Sequence, residues 1–140
     1  MTKREISCIL SRASEEQVKK IGTRLQENHR VEIIKQPQKT LVMVKVRESI
    51  GRSLFYLGEV LATECMVRVD DKKGFSVMAG DQFEKILHAA IIDGALNGNC
   101  VESDWIEQEL LALKKQQEKE RARMNAEILK SKVNFNVMGE

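Results

Sequence analysis

Apolar residues recur at helical spacing toward both ends of the chain and alternate in its middle. Thr2 and Glu5 stand three apart, as a capping box requires, and Ile6, Ile9 and Leu10 then share one face of a short helix. Ser14 and Gln17 repeat the signal, and Val18, Ile21 and Leu25 carry a second helix to about Asn28. The period then drops to two. Val31 to Ile34 reads as a strand ended by Gln36-Pro37-Gln38. From Leu41 to Arg47, the side chains of Val42, Val44 and Val46 fall on one face of a half-buried strand. Leu54 to Leu57 is a short apolar run stopped by Gly58. Val60 to Val69 alternates again, with Leu61, Cys65, Val67 and Val69 on one face and Thr63 interrupting it. Asp70-Asp71-Lys72-Lys73-Gly74 reads as a hairpin loop, and Phe75 to Ala79 as its returning antiparallel strand.

Helical spacing resumes after Gly80. Asp81 is the expected N-cap, with Glu84 at the capping-box position. Phe83, Ile86, Leu87, Ala90, Ile91 and Ala95 form the apolar face, and Gly98 is the expected stop. A last helix starts near Asp104 and packs through Trp105, Ile106, Leu110, Leu111 and Leu113. The predicted class is α+β: an antiparallel β-meander over residues 31 to 79, flanked by helices, with a long C-terminal helix and an extended apolar tail.

Beyond Leu113 the helical pattern loses its apolar face. Residues 114 to 132 carry seven Lys or Arg against three Glu, a local charge of +4. A helix polar all round bridges solvent or leans on a partner. It runs into Lys132, Val133, Phe135, Val137 and Met138, alternating apolar residues with no local core to enter. The chain therefore divides into one α+β domain, residues 1–113, and an arm and tail, residues 114–140, that dock on another chain. Trp105, Lys132, Val133, Phe135 and Met138 are the candidate contacts. The alternative is an arm that folds back over the domain's own sheet.

Composition narrows the function classes. At 140 residues, 42% apolar and 31% charged, the chain is long enough for one core and too apolar for wholesale disorder. A net charge of +2 gives no sign of a general nucleic-acid binder or a membrane-surface protein. No apolar run nears the ~20 residues of a membrane span, and MTKREISCILSR is no secretory signal, so a cytoplasmic location is expected. Cys8, Cys65 and Cys100 are odd in number and widely spread, which suits small buried thiols in a reducing compartment. Neither His29 nor His88 has a Cys, Asp or Glu at ligand spacing together with a second histidine, so no zinc site built by this chain alone is expected.

Catalytic motifs are missing. No phosphate-binding glycine loop or nucleophile elbow occurs, and no catalytic residue or cofactor site is assigned. Asp93 lies in the apolar run Ala89-Ala90-Ile91-Ile92-Asp93-Gly94-Ala95, where an unpaired buried carboxylate costs several kcal/mol. It is expected to cap, to pair or to face an interface. Arg52, Arg68, Lys72 and Lys73 are candidates to hold an anion such as a phosphate or phosphonate.

Several segments carry a resemblance. Phe55-Tyr56-Leu57-Gly58-Glu59-Val60-Leu61-Ala62-Thr63 is similar to an F-x-L-G-E-V-x-x-T segment of the PhnG family, subunits of the bacterial carbon–phosphorus lyase core complex. Gly74-Phe75-Ser76-Val77-Met78-Ala79-Gly80-Asp81 resembles that family's glycine-bounded strand, and Ala90-Ile91-Ile92-Asp93-Gly94-Ala95 its A-x-I-D-A helix. Lys132-Val133-Asn134-Phe135-Asn136-Val137-Met138 resembles its K/R-V-D/N-F-x-x-M terminus. The motif residues carried over are Gly58, Glu59, Gly74, Gly80, Asp81 and Asp93. Three departures stand out. Gly80 runs straight into Asp81 where the family often has an arginine between them, Asn134 replaces an acidic residue of some members, and Gly94 stands where alanine is usual.

The resemblance implies an accessory or architectural subunit acting with PhnI, PhnH, PhnL and PhnJ. Their joint first step places an organic phosphonate on the ribose of a nucleoside triphosphate and displaces the base (α-D-ribose 1-methylphosphonate 5-triphosphate synthase). Radical cleavage of the C–P bond, with an iron–sulfur cluster and S-adenosylmethionine, is implied to belong to PhnJ. Two other classes stay open: a nucleic-acid module using the basic arm, and a stand-alone small-anion-binding domain or enzyme.

Overall fold

The computed structural model describes residues 1–138 apart from 48 and 52, with the side chains of 55, 56 and 132–138 outside the description. In chain order the elements are α1 (Lys3–Arg12), α2 (Glu15–Asn28), β1 (Val31–Arg47), β2 (Leu54–Val69), β3 (Lys72–Ala79), α3 (Phe83–Asn97) and α4 (Ser103–Met138). The fold is α+β, with a three-stranded antiparallel sheet in the order β1-β2-β3.

The first two helices start where their caps stand. Thr2 Oγ1 accepts from the Glu5 N–H, and Ser14 and Gln17 close a full reciprocal box. α3 packs across β2 and β3, α2 packs on α3, and α1 lies against α4. The core is the layer between sheet and helices: Val18, Ile21 and Leu25 of α2, Cys65, Val67 and Val69 of β2, Ile86 and Ile91 of α3, Ile106 and Leu110 of α4. Burial pushes the Cys65 thiol up to about 11. The Lys85 ammonium, buried between helices, donates to the Ser11 and Ala13 carbonyls at 2.8 and 3.0 Å and so closes the end of α1.

Four expectations are corrected. Gln36-Pro37-Gln38 does not end a strand: β1 runs through it, and the register jumps from Lys35↔Met66 to Gln38↔Glu64. The irregularity lets the ladder pass a residue with no N–H to donate. Gly58 likewise does not stop β2, because a register shift between Val44 and Lys45 absorbs the break. Lys72 to Gly74 belong to β3, leaving a turn of Asp70 and Asp71, with Asp70 at φ 54°. Finally, α4 is continuous helix through Met138, so the tail is not extended. No proline or glycine interrupts the sequence between Ser103 and Met138.

The start of α3 also differs. Its N-cap is Gln82, without a side-chain cap bond, and Asp81 does not fill that role. Thr63 does the work from the neighbouring strand. Its fully buried hydroxyl donates to the Gly80 carbonyl at 2.7 Å and accepts from the Gln82 N–H at 3.1 Å. Gly80 itself sits at φ 81°, a conformation that favours glycine. The polar break in the apolar face of β2 is thus the tie between sheet and α3. Replacing Thr63 by isosteric valine is expected to cost about 1–3 kcal/mol, because it strands a buried N–H and a carbonyl. Urea unfolding of the variant checks this, and an unchanged midpoint would remove the tie.

Candidate docking surface

β3 pairs with β2 only from Val69 back to Ala62. From Leu61 onward β2 has, among the described residues, only β1 as strand neighbour, in the register Leu41↔Leu61, Val42↔Val60, Met43↔Glu59 and on to Arg47↔Leu54. Seven residues at about 3.4 Å each make a two-stranded ribbon that reaches roughly 24 Å beyond β3. Cross-strand partners share a face. Leu41, Leu61 and Met43 therefore continue the row of Val69, Val67, Cys65 and Thr63, which is buried under the helices. The row loses its cover past Thr63: Leu61 is 61% exposed and Leu41 57%. Val42, Val60 and Val46 line the opposite face and are exposed too, as are Leu54 and Leu57. A ribbon apolar on both faces is marginal in water unless another surface covers it.

α4 makes the second projection. Its first turns carry Ile106, Leu110 and Leu113 into the core, and Gln117 Nε2 donates to the Ile9 carbonyl at 3.0 Å. Residues 118–131 are then all exposed, among them Met124, Ile128 and Leu129. At 1.5 Å per residue the 36-residue helix is about 54 Å long. Met124 and Ile128 lie one turn apart on one side of it.

Of the candidate contacts, Trp105 stands on the first turn of α4, partly buried against the core, with the Arg24 guanidinium 4.0 Å from its ring centroid. That contact uses much of the ring within the chain. Lys132, Val133, Phe135 and Met138 lie in the last turns of α4, and their side chains are outside the described residues.

The motif residues fall into three places. Gly58 and Glu59 are in the ribbon, Glu59 exposed and opposite Met43. Gly80 and exposed Asp81 form the β3–α3 connection. Gly74 and Asp93 meet. A Cβ on Gly74 would strike the Ala90 carbonyl and lie 2.5 Å from the Gly94 nitrogen, so only glycine lets β3 approach α3 this closely. That approach brings Asp93 Oδ2 to 2.9 Å from the Phe75 N–H and 3.3 Å from Asn97 Nδ2, while Lys3 Nζ stands 3.9 Å from Oδ1. The carboxylate in the apolar run is paired, as expected, and its partner is backbone of the edge strand.

The basic candidates do not form one cluster. Arg68 and Lys73 are cross-strand neighbours with Arg68 3.7 Å from Glu32, Lys72 lines a pocket beside His29 and Asp70, and Arg52 is outside the described residues. A groove of about 280 Å³ between α1 and α4 instead gathers Arg4, Arg12, Lys114 and Arg121 with Glu5 and Glu118.

One cluster escapes the sequence reading. His29, the C-cap of α2, has Nδ1 2.8 Å from Asp70 Oδ2 and Nε2 2.5 Å from Glu102 Oε2. The Glu102 and Asp70 carboxylates raise the His29 pKa above the usual imidazole range, and the histidine holds both carboxylates below theirs. Cys100 lies beside them, and its donor atom, His29 and Glu102 fall within 4.8 Å of one another. The partners sit 41 and 73 residues from His29, and no local spacing announces them.

Among the described residues no helix is long and apolar enough to cross a membrane. Residues 1–139, essentially the whole chain, match the family described as phosphonate metabolism protein PhnG. No curated protein matches the chain at a significant level.

Proposed function

The chain belongs to the PhnG family of phosphonate metabolism proteins, and on that premise we propose that it is an architectural subunit of a phosphonate C–P lyase complex. In this reading it acts with PhnI-, PhnH-, PhnL- and PhnJ-like chains. Those subunits transfer the phosphonate onto the ribose of a nucleoside triphosphate with base displacement. A PhnJ-like chain then breaks the C–P bond with its iron–sulfur cluster and S-adenosylmethionine. This chain contributes surface and no reacting group.

The observation that carries the reading is the ribbon. An apolar hairpin uncovered on both faces fits a chain that completes its packing on partners. The bare outer half of α4 offers a second contact at the far end of a long lever. The basic groove between α1 and α4 favours the other reading, a small-anion-binding domain that works alone.

An affinity pull-down separates the two. The tagged full chain is expressed in its own host with a phosphonate as sole phosphorus source, and bound proteins are identified by mass. Stoichiometric recovery of PhnI-, PhnH- and PhnJ-like chains is expected, with loss of recovery for a chain ending at Leu113. Recovery of the full chain alone would overturn the subunit reading and turn attention to anion binding.

A further inference from the structure

The elements around His29 converge from three separate connections at one end of the domain. His29 ends α2, Asp70 makes the β2–β3 turn, and Cys100 and Glu102 make the link from α3 to α4. The histidine and Glu102 side chains are only 12% and 15% exposed, whereas Asp70 faces solvent. A pocket of about 390 Å³, lined by His29, Asp70, Lys72, Asn99 and Cys100, opens beside them.

We propose that His29 Nε2, Cys100 Sγ and one Glu102 carboxylate oxygen bind a zinc-class divalent cation, with Asp70 as the outer partner that orients the imidazole. An imidazole, a thiol and a carboxylate together are the donor set that zinc prefers over magnesium or calcium, which take oxygen alone. The Asp70 contact at Nδ1 is the carboxylate–histidine arrangement that fixes the tautomer and aims Nε2 at a metal. Ring nitrogen and carboxylate oxygen now stand 2.5 Å apart. Metal bonds of about 2.0–2.1 Å in tetrahedral geometry place them about 3.3 Å apart, so the Glu102 side chain retracts by less than 1 Å. Binding displaces the proton held between Nε2 and Glu102 and the thiol proton of Cys100, both released to solvent. Three protein ligands leave a fourth position toward the pocket, for water or a ligand atom from elsewhere. The site also staples three loops that share no strand or helix.

The test uses the full-length chain stripped of metal. Zn2+ is titrated against a competing chromophoric chelator, and Co2+ against its visible and near-ultraviolet spectrum. One ion per chain is expected, with cobalt showing tetrahedral bands and a thiolate charge-transfer band. Cys100→Ser is expected to remove that band and weaken zinc binding by more than 100-fold, and Glu102→Gln to weaken it comparably. Asp70→Asn is expected to weaken it by about 10- to 100-fold. Cys8→Ser, an exposed thiol in α1, is expected to change nothing. Circular dichroism confirms that each variant is folded, and Cys100→Ser and Glu102→Gln fail independently if one of them is not. Absence of stoichiometric zinc in the unaltered chain, or binding that survives both substitutions, would overturn the proposal.

Discussion

Placing glutamate at both Leu41 and Leu61 is expected to leave the domain folded while cutting its capture of partner chains by roughly 100-fold or more. The two residues face each other across the ribbon and are the most exposed pair that continues the buried row. Neither takes part in the core of buried side chains, so the domain loses little by their change. Two like charges opposite each other on a strand pair cost up to about 1 kcal/mol of local stability. Buried in an interface they cost far more, because desolvated charges without partners add to the lost apolar contact. Two truncated anchors at about 1.5 kcal/mol each already give about 100-fold. Pull-down with the partners measures the loss, and a thermal melt by circular dichroism checks the fold. Capture equal to that of the unaltered chain would rule out the ribbon as a docking surface.

Gly74→Ala is expected to lower stability by about 3 kcal/mol or more and the melting temperature by about 10 °C. The added methyl meets the Ala90 carbonyl and the Gly94 backbone, neither of which can rotate away. Relief requires lifting α3 off β3. That movement pulls Asp93 from the Phe75 N–H and Asn97 from the Lys73 carbonyl. Gly58→Ala is the control. A Cβ there has nothing within 4 Å and φ is not in the left-handed region, so a change within about 0.5 kcal/mol is expected. Both glycines stand in motif segments, and only one is required by packing inside this chain. Equal melting temperatures for the two variants would contradict the close approach.

Local signals carried much of the fold. The boxes at Thr2 and Ser14 place α1 and α2 because their partners are three residues away. Alternation groups the residues of β1 and β2 by face correctly, but the half-buried strand expected at Leu41 to Arg47 has no buried residue, and Val42 and Val46 are exposed. Asp93 is found paired because an apolar run has no other use for a carboxylate. What failed depended on distant atoms. The cap of α3 comes from Thr63 on another strand, 19 residues from Gln82, and no local pattern around Asp81 shows it. Pro37 and Gly58 look like breakers, yet the ladder passes both through register shifts that depend on the partner strand. Alternation says which residues share a face but not where the covering helices end, so the sequence does not mark the ribbon as bare. The His29 cluster joins three connections, and His29 lies 41 residues from Asp70 and 73 from Glu102, so no local spacing announces it.

Pro37 has one further consequence. β1 is an edge strand of 17 residues, long enough to seed pairing with a second copy of the same chain. Any incoming strand meets a backbone whose pairing register is irregular at Ile33–Lys35 and again at Lys35–Gln38, across Pro37. Self-templated growth along the body of the sheet is therefore interrupted after a few residues, and Lys35 and Lys39 flank the interruption. At the other edge, Asp93 holds the N–H of Phe75. The chain thus carries its own guard against fibril-like stacking while its ribbon waits uncovered.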